Sequence, residues 1–180
     1  MKHGAAARPP LSVEVRAIRF EDVSPIVDLI RRAMERGCRD HYDPAQRAAV
    51  FASYAHNLFV EALGPFETVA ALQAGRPIGF AQLDPSSARL RALFVDGEFQ
   101  QRGIGSALLS EVERRALRRG AARLHGAMSL NAIPFYLRAG FQPCPGPERL
   151  IASGISVPVL RMDKTLRATE SGGTDRRRGG

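Results

Sequence analysis

The stretch Gln100–Leu109, QQRGIGSALL, sets two glycines and an arginine directly before an apolar helical pattern. A helix start exposes backbone N–H groups that have no intrahelical partner, and it carries the positive end of the helix dipole. Gly103 and Gly105 let a ligand approach that backbone closely, and Arg102 adds charge, so the chemistry on offer is anion binding. Two known phosphate-binding turns are excluded by composition. A dinucleotide turn of the G-x-G-x-x-G type has a third glycine where this chain has Leu108, and a Walker loop needs a lysine that is absent here. What remains is a strand–loop–helix aimed at a diphosphate, with an ordinary tight turn as the plain alternative.

Two more residues carry chemistry further on. Tyr136 offers a phenol and Asn131 an amide, both in a short segment that reads as a helix with Pro134 in its first turn. By themselves they read as a core tyrosine and a helix N-cap. Cys38 and Cys144 lie far apart with no paired spacing, so neither a disulfide nor a metal site is expected, and a reducing cytoplasm is the default compartment.

The elements that must position these groups can be read from periodicity. Val13–Ile18 alternates as an opening strand, and Ser24-Pro25 marks a helix start with serine as the cap. Asp43-Pro44 with Gln46 signals a capping box for a second helix, whose apolar face (Val50, Phe51, Tyr54, Leu58, Phe59) runs on to Gly64-Pro65. Thr68–Gln73, Pro77–Leu83 and Ala88–Val95 then alternate between short turns, which predicts an antiparallel meander. After the glycine junction, Ile104, Leu108, Val112 and Ala116 recur every four residues, and Glu111 can pair with Arg115 one turn on. Gly120 ends that helix. A strand at Arg123–Met128, the short helix closed by Gly140, an extended segment from Phe141 and a last strand at Ser156–Lys164 complete one α/β domain over residues 13–166.

With 180 residues, 44% of them hydrophobic and 24% charged, the chain suits a single well-buried domain. No apolar run reaches the length of a membrane span, so an integral membrane protein is not expected. Residues 1–12 read as a disordered leader without the apolar core of a signal peptide, and residues 167–180 as a disordered basic tail. The net charge is +8. Half of it sits at the two ends, leaving the body with dispersed charge, and no pattern of base-stacking aromatics accompanies the Arg176-Arg177-Arg178 run. Nucleic acid is therefore not the expected partner.

Gln100-Gln101-Arg102-Gly103-Ile104-Gly105 resembles the pyrophosphate signature Q/R-x-x-G-x-G/A of the GNAT superfamily of acyl-CoA-dependent N-acyltransferases. Leu93-Phe94-Val95 looks like the end of that family's fourth strand. Ser129–Tyr136 with Gly140-Phe141 looks like its later asparagine–tyrosine motif, and Met162-Asp163-Lys164-Thr165-Leu166 resembles its M-x-K-x-L ending. The three motifs fall in the family's order and spacing, and the resemblance covers residues 13–166.

The resemblance implies a mixed, mostly antiparallel sheet splayed between its fourth and fifth strands, flanked by helices, with acetyl-CoA as co-substrate and no metal. It places backbone groups of Phe94 and Val95 on the pantetheine and thioester. It also implies that Gln101, Arg102, Gly103, Ile104, Gly105 and Ser106 form the N–H cradle for the pyrophosphate, that Gln100 belongs with them to the cofactor-binding set, and that Asn131 contacts the cofactor or an ordered water. Tyr136 would bind there too and protonate the departing thiolate, while an amine of a small molecule or peptide attacks directly. The fourth strand of many relatives carries a glutamate. Here that strand reads Ala88-Arg89-Leu90-Arg91-Ala92-Leu93, so the base is unassigned, with Asp84, His125 and the Asp40-His41-Tyr42 segment as candidates. A non-catalytic CoA-binding or protein-interaction module of the same fold is the alternative, and a homodimer is left open.

Overall fold

A computed structural model describes residues 12–167. The leader and tail readings, their boundary residues apart, lie outside the described residues. Glu14–Ala17 (β1) pairs antiparallel with Glu67–Gln73 (β2), and β2 continues into Arg76–Asp84 (β3) and Arg89–Val95 (β4) as the expected meander. The sheet runs on through Arg123–Ser129 (β5), Gln142–Pro143 (β6), Arg149–Ala152 (β7) and Ile155–Thr165 (β8). Its strand order is β1-β2-β3-β4-β5-β8-β6, with β7 paired to β8. Among the described residues, only β4 and β5 are parallel neighbours.

Alternation along β2 divides the core into two layers. Val69 and Ala71 face one side, where they meet Ile104, Leu108 and Val112 of helix Ile104–Arg118 together with Tyr136 and Phe141. Ala70 and Leu72 face the other side, where Ile26, Leu29, Ile30 and Met34 of helix Val23–Gly37 (α1) cover them. Each layer buries large side chains completely, among them Phe80, Phe59 and Phe141, and each such side chain contributes about 1.5–3 kcal/mol.

The helices differ in two places from the sequence reading. Ser24 is not the cap of α1. A 3₁₀ turn at Phe20–Asp22 leads into a helix that begins at Val23. Asp22 governs the entry, with its carboxylate accepting from Arg16 at 2.7 Å and from the Arg19 N–H at 2.7 Å. Those bonds hold the carboxyl of Asp22 below the usual carboxylate range against the opposing effect of burial. The second helix is also two. Pro44–Ala52 (α2) carries the capping box, with the Gln46 N–H donating to Asp43 at 2.8 Å and the Asp43 N–H donating to the Gln46 side chain at 3.2 Å. It then stops, and His56–Ala62 (α3) starts after an extended Ala55. Ser53 donates its hydroxyl to the Ala49 carbonyl, a bond that competes with the helix. The break turns Tyr54 inward, where its ring sits edge-on to Phe80 and Phe94 at 6.4 and 5.6 Å.

Helix Ile104–Arg118 (α4) follows the glycine junction, and Ile133–Arg138 (α5) follows a 3₁₀ turn at Leu130–Ala132. Asn131 does not cap α5. The residue in that place is Ala132, and the side-chain amide oxygen of Asn131, Oδ1, instead lies 3.6 Å from the Cys38 thiol. Among the described residues, no helix is long and apolar enough to cross a membrane.

Candidate active site

Strands β4 and β5 pair only at Arg89 with His125 and Leu90 with Gly126. From Arg91 to Val95 the edge of β4 that faces β5 is left without a partner strand, and a cleft of about 560 Å³ opens there. Splaying a parallel pair leaves backbone N–H and C=O groups unpaired, and a ligand can take the place of the missing strand.

The glycine junction forms one end of this cleft. Asp96 anchors the turn after β4, its carboxylate accepting from Arg32 Nε and Nη2 at 3.0 and 2.8 Å. The chain then passes Gln101, in the left-handed region at φ 60°, and Gly103, at φ 79°. For Gln101 that conformation costs about 1–2 kcal/mol, a cost the glycine avoids. The first intrahelical bond of α4 runs from the Ala107 N–H to Gly103, which leaves the N–H groups of Ile104, Gly105 and Ser106 free of helical partners.

The two glycines have different reasons. A Cβ on Gly103 would meet no protein atom within 4 Å, so open space fronts the junction there. A Cβ on Gly105 would meet the Phe135 ring at 3.3 Å, so this glycine lets α5 pack close against α4.

Of the residues the resemblance pointed to, Phe94, Val95, Gln100 and Gln101 line the cleft. So do Gly103, Gly105, Ser106, Asn131 and Tyr136. Two do not. Ile104 is buried in the core, and Arg102 projects into solvent, its guanidinium 5.6 Å from the centre of the Phe99 ring. Tyr136 is 4% exposed, wedged edge-on between Phe135 and Phe141 at 5.0 and 5.4 Å. Burial, and then the neighbouring Tyr54 phenol, push its pKa well above the usual phenol range. Tyr136 therefore holds its proton throughout the physiological range.

The candidate bases fall elsewhere. Asp84 seals the β3–β4 turn, where bonds from Ser86 and Ser87 hold its carboxyl down at about 2. His125 meets the Ser87 carbonyl at 2.9 Å, and Asp40 and His41 are exposed. Only Tyr42 reaches the cleft, and its hydroxyl is already engaged. It accepts from the Leu130 N–H at 2.8 Å and donates to the Pro158 carbonyl at 2.9 Å, tying the α5 entry to β8.

Cleft residues that the sequence did not single out are Tyr54, Arg91, Arg138 and Cys38. Tyr54 looked like one more apolar position in a long helix, and Arg91 like a strand position in the meander. Burial pushes the Cys38 thiol up to about 11.

A sequence model described as an acetyltransferase (GNAT) domain matches residues 38–166. The chain belongs to the GNAT acetyltransferase family. A curated relative, the uncharacterized N-acetyltransferase YafP of Escherichia coli strain K12, is 28% identical over 131 residues. The match takes in 73% of this chain and 82% of the relative. Among solved structures, a GCN5-related N-acetyltransferase from Rhodopseudomonas palustris superposes with a TM-score of 0.81 at 25% identity, covering 89% of this chain and all (100%) of the other. The PaiA N-acetyltransferase of Thermoplasma acidophilum, solved in complex with coenzyme A, superposes with a TM-score of 0.75 at 18% identity. That pair covers 86% of this chain and 99% of the other, and it shares the fold.

Proposed function

We propose that this GNAT chain transfers an acetyl group from acetyl-CoA to an amine by direct attack. The observation that carries the reading is the continuity of the cleft. Free N–H groups at the α4 start, the unpaired edge of β4 and the Tyr136 phenol all border the same space. An anionic pyrophosphate suits the first, an extended amide-bearing arm the second, and a departing thiolate the third.

In the step proposed, the amine nitrogen bonds to the thioester carbonyl carbon while a β4 N–H near Phe94 and Val95 steadies the oxyanion. The C–S bond then breaks and Tyr136 supplies a proton to sulfur. The alternative, a non-catalytic module, draws on one observation: no carboxylate or imidazole lines the cleft among the described residues.

A thermal melt with acetyl-CoA followed by a thiol-release assay decides between them. Acetyl-CoA at a hundred times its Kd is expected to stabilise the fold by about 2.7 kcal/mol. Absence of protection would sink the donor assignment, and protection without thiol release across a broad amine panel would favour the module. Gly103→Ala places a methyl in the left-handed region and in the open space before the cradle. It is expected to destabilise the fold by about 1 kcal/mol and to raise the acetyl-CoA Kd about tenfold, the equivalent of roughly 1.4 kcal/mol. Unchanged affinity in calorimetry would remove Gly103 from the cradle.

A further inference from the structure

Arg91 occupies a β-bulge. Gln82 of β3 pairs with Ala92 and Leu83 with Leu90, so Arg91 is the extra residue on β4. Bulges re-aim side chains, and this one accompanies an arginine that is among the residues lining the cleft. Its position is held from beneath. Gln82 is 2% exposed, donates to Thr68 Oγ1 at 3.1 Å and accepts from Arg91 Nε at 3.3 Å. The Phe66 ring lies 3.8 Å from the guanidinium carbon. Among the described residues no carboxylate pairs with Arg91, so its two terminal nitrogens remain available to a ligand.

The other titratable groups on the cleft are Cys38, Tyr42, Tyr54, Tyr136 and Arg138. None of them is a base at neutral pH. When a neutral amine is acetylated, an N–C bond forms, the C–S bond breaks, the nitrogen loses one proton and the sulfur gains one. The proton count closes inside the cleft. An alkylammonium brings one proton more, and with a pKa near ~10.4 only about one in a thousand is neutral at pH 7.4. A cleft with no side chain to take up that additional proton, and with an arginine that no carboxylate neutralises, selects against such cations.

Given acetyl transfer as proposed above, on which this rests, we infer that the acceptor is a small aromatic amine bearing a carboxylate that Arg91 receives. Aromatic amines share their lone pair with the ring and stay uncharged at pH 7. Tyr54 and Phe94 offer such a ring aromatic walls. Arg91 precedes Phe94 by three residues, about 10 Å along a strand, a span that one para-substituted ring and the reach of the side chain cover.

The test compares 4-aminobenzoate with 4-aminobenzamide, which lacks the charge, and with 4-(aminomethyl)benzoate, whose amine is an ammonium. The readout is thiol release from acetyl-CoA. The expected kcat/KM for 4-aminobenzoate exceeds each of the others at least tenfold. In Arg91→Gln the preference for the benzoate over the benzamide falls to about one, chiefly through KM, and Arg91→Lys restores part of it. A preference for the ammonium, or a carboxylate preference that survives Arg91→Gln, overturns the inference. So does acetyl-CoA protection in the melt with no thiol release from the aromatic amines while alkylamines react. Loss of acetyl-CoA protection itself marks the failure of the donor reading instead.

Discussion

Tyr136→Phe is expected to lower kcat about 10²-fold, at the lower end of what proton transfer by a positioned side chain contributes. The acetyl-CoA Kd should stay within about threefold, and the melting temperature should not fall. The ring supplies packing against Phe135 and Phe141, and phenylalanine keeps that contact. No hydrogen bond joins the hydroxyl to another group among the described residues, so removing it leaves no buried partner unsatisfied. What the oxygen does is therefore separable from what the ring does.

The raised pKa sets how the proton moves. A phenol well above its usual range donating outright to a thiolate of conjugate-acid pKa near ~8.5 runs uphill. Tyr136 is better matched to passing a proton than to losing one: in the proposed step it would donate to sulfur as its oxygen receives the proton leaving the acetylated nitrogen. That transfer needs the amine and the sulfur on either side of one hydroxyl. A kcat in Tyr136→Phe equal to wild type would reduce the residue to packing. A fall in acetyl-CoA affinity equal to the fall in kcat/KM would make it a binding group only.

The parts legible in the sequence are those governed by neighbours a few residues apart. The Asp43–Gln46 capping box, the turns of the β2–β4 meander and the glycines at the start of α4 each follow from local backbone demands. The break between α2 and α3 has no glycine or proline to announce it, and it forms because Tyr54 is drawn to Phe80 and Phe94 across the core. The early start of α1 depends on an ion pair between Asp22 and Arg16 of β1. The cleft was legible at one end only. The glycine junction proposed as its anion cradle lies within one loop, whereas Arg91 enters through a bulge, and a bulge is a mismatch between two strands that neither strand records alone. The resemblance supplied the splay, which no periodicity in β4 or β5 would predict.

The junction also depends on an ion pair that couples α1 to the turn after β4, and truncating its cation should be among the most destabilising single changes. Arg32→Ala is expected to cost about 3 kcal/mol, the lower end for breaking a buried pair. For a chain of this size that amounts to roughly 6–12 °C in melting temperature. The two partners are not equivalent. The Asp96 side chain is 4% exposed and that of Arg32 25%. Removing Arg32 strands a carboxylate in the core, its remaining bond a long one of 3.4 Å from the Glu98 N–H. Removing the charge of Asp96 leaves an arginine that can turn toward water. Asp96→Asn should therefore cost less than Arg32→Ala, and the double variant less than the sum of the two. The Asp96 N–H donates to the Ile78 carbonyl of β3 and its own carbonyl accepts from the Phe99 N–H, so this residue fixes how the chain leaves β4 for the glycine junction. The folded fraction of Arg32→Ala should accordingly bind acetyl-CoA more weakly. Chemical denaturation of the three variants, with calorimetry at a temperature where each is folded, gives both numbers. Equal costs for the two single changes would mean that Asp96 is reached by water, and unaltered affinity would uncouple this pair from the cradle.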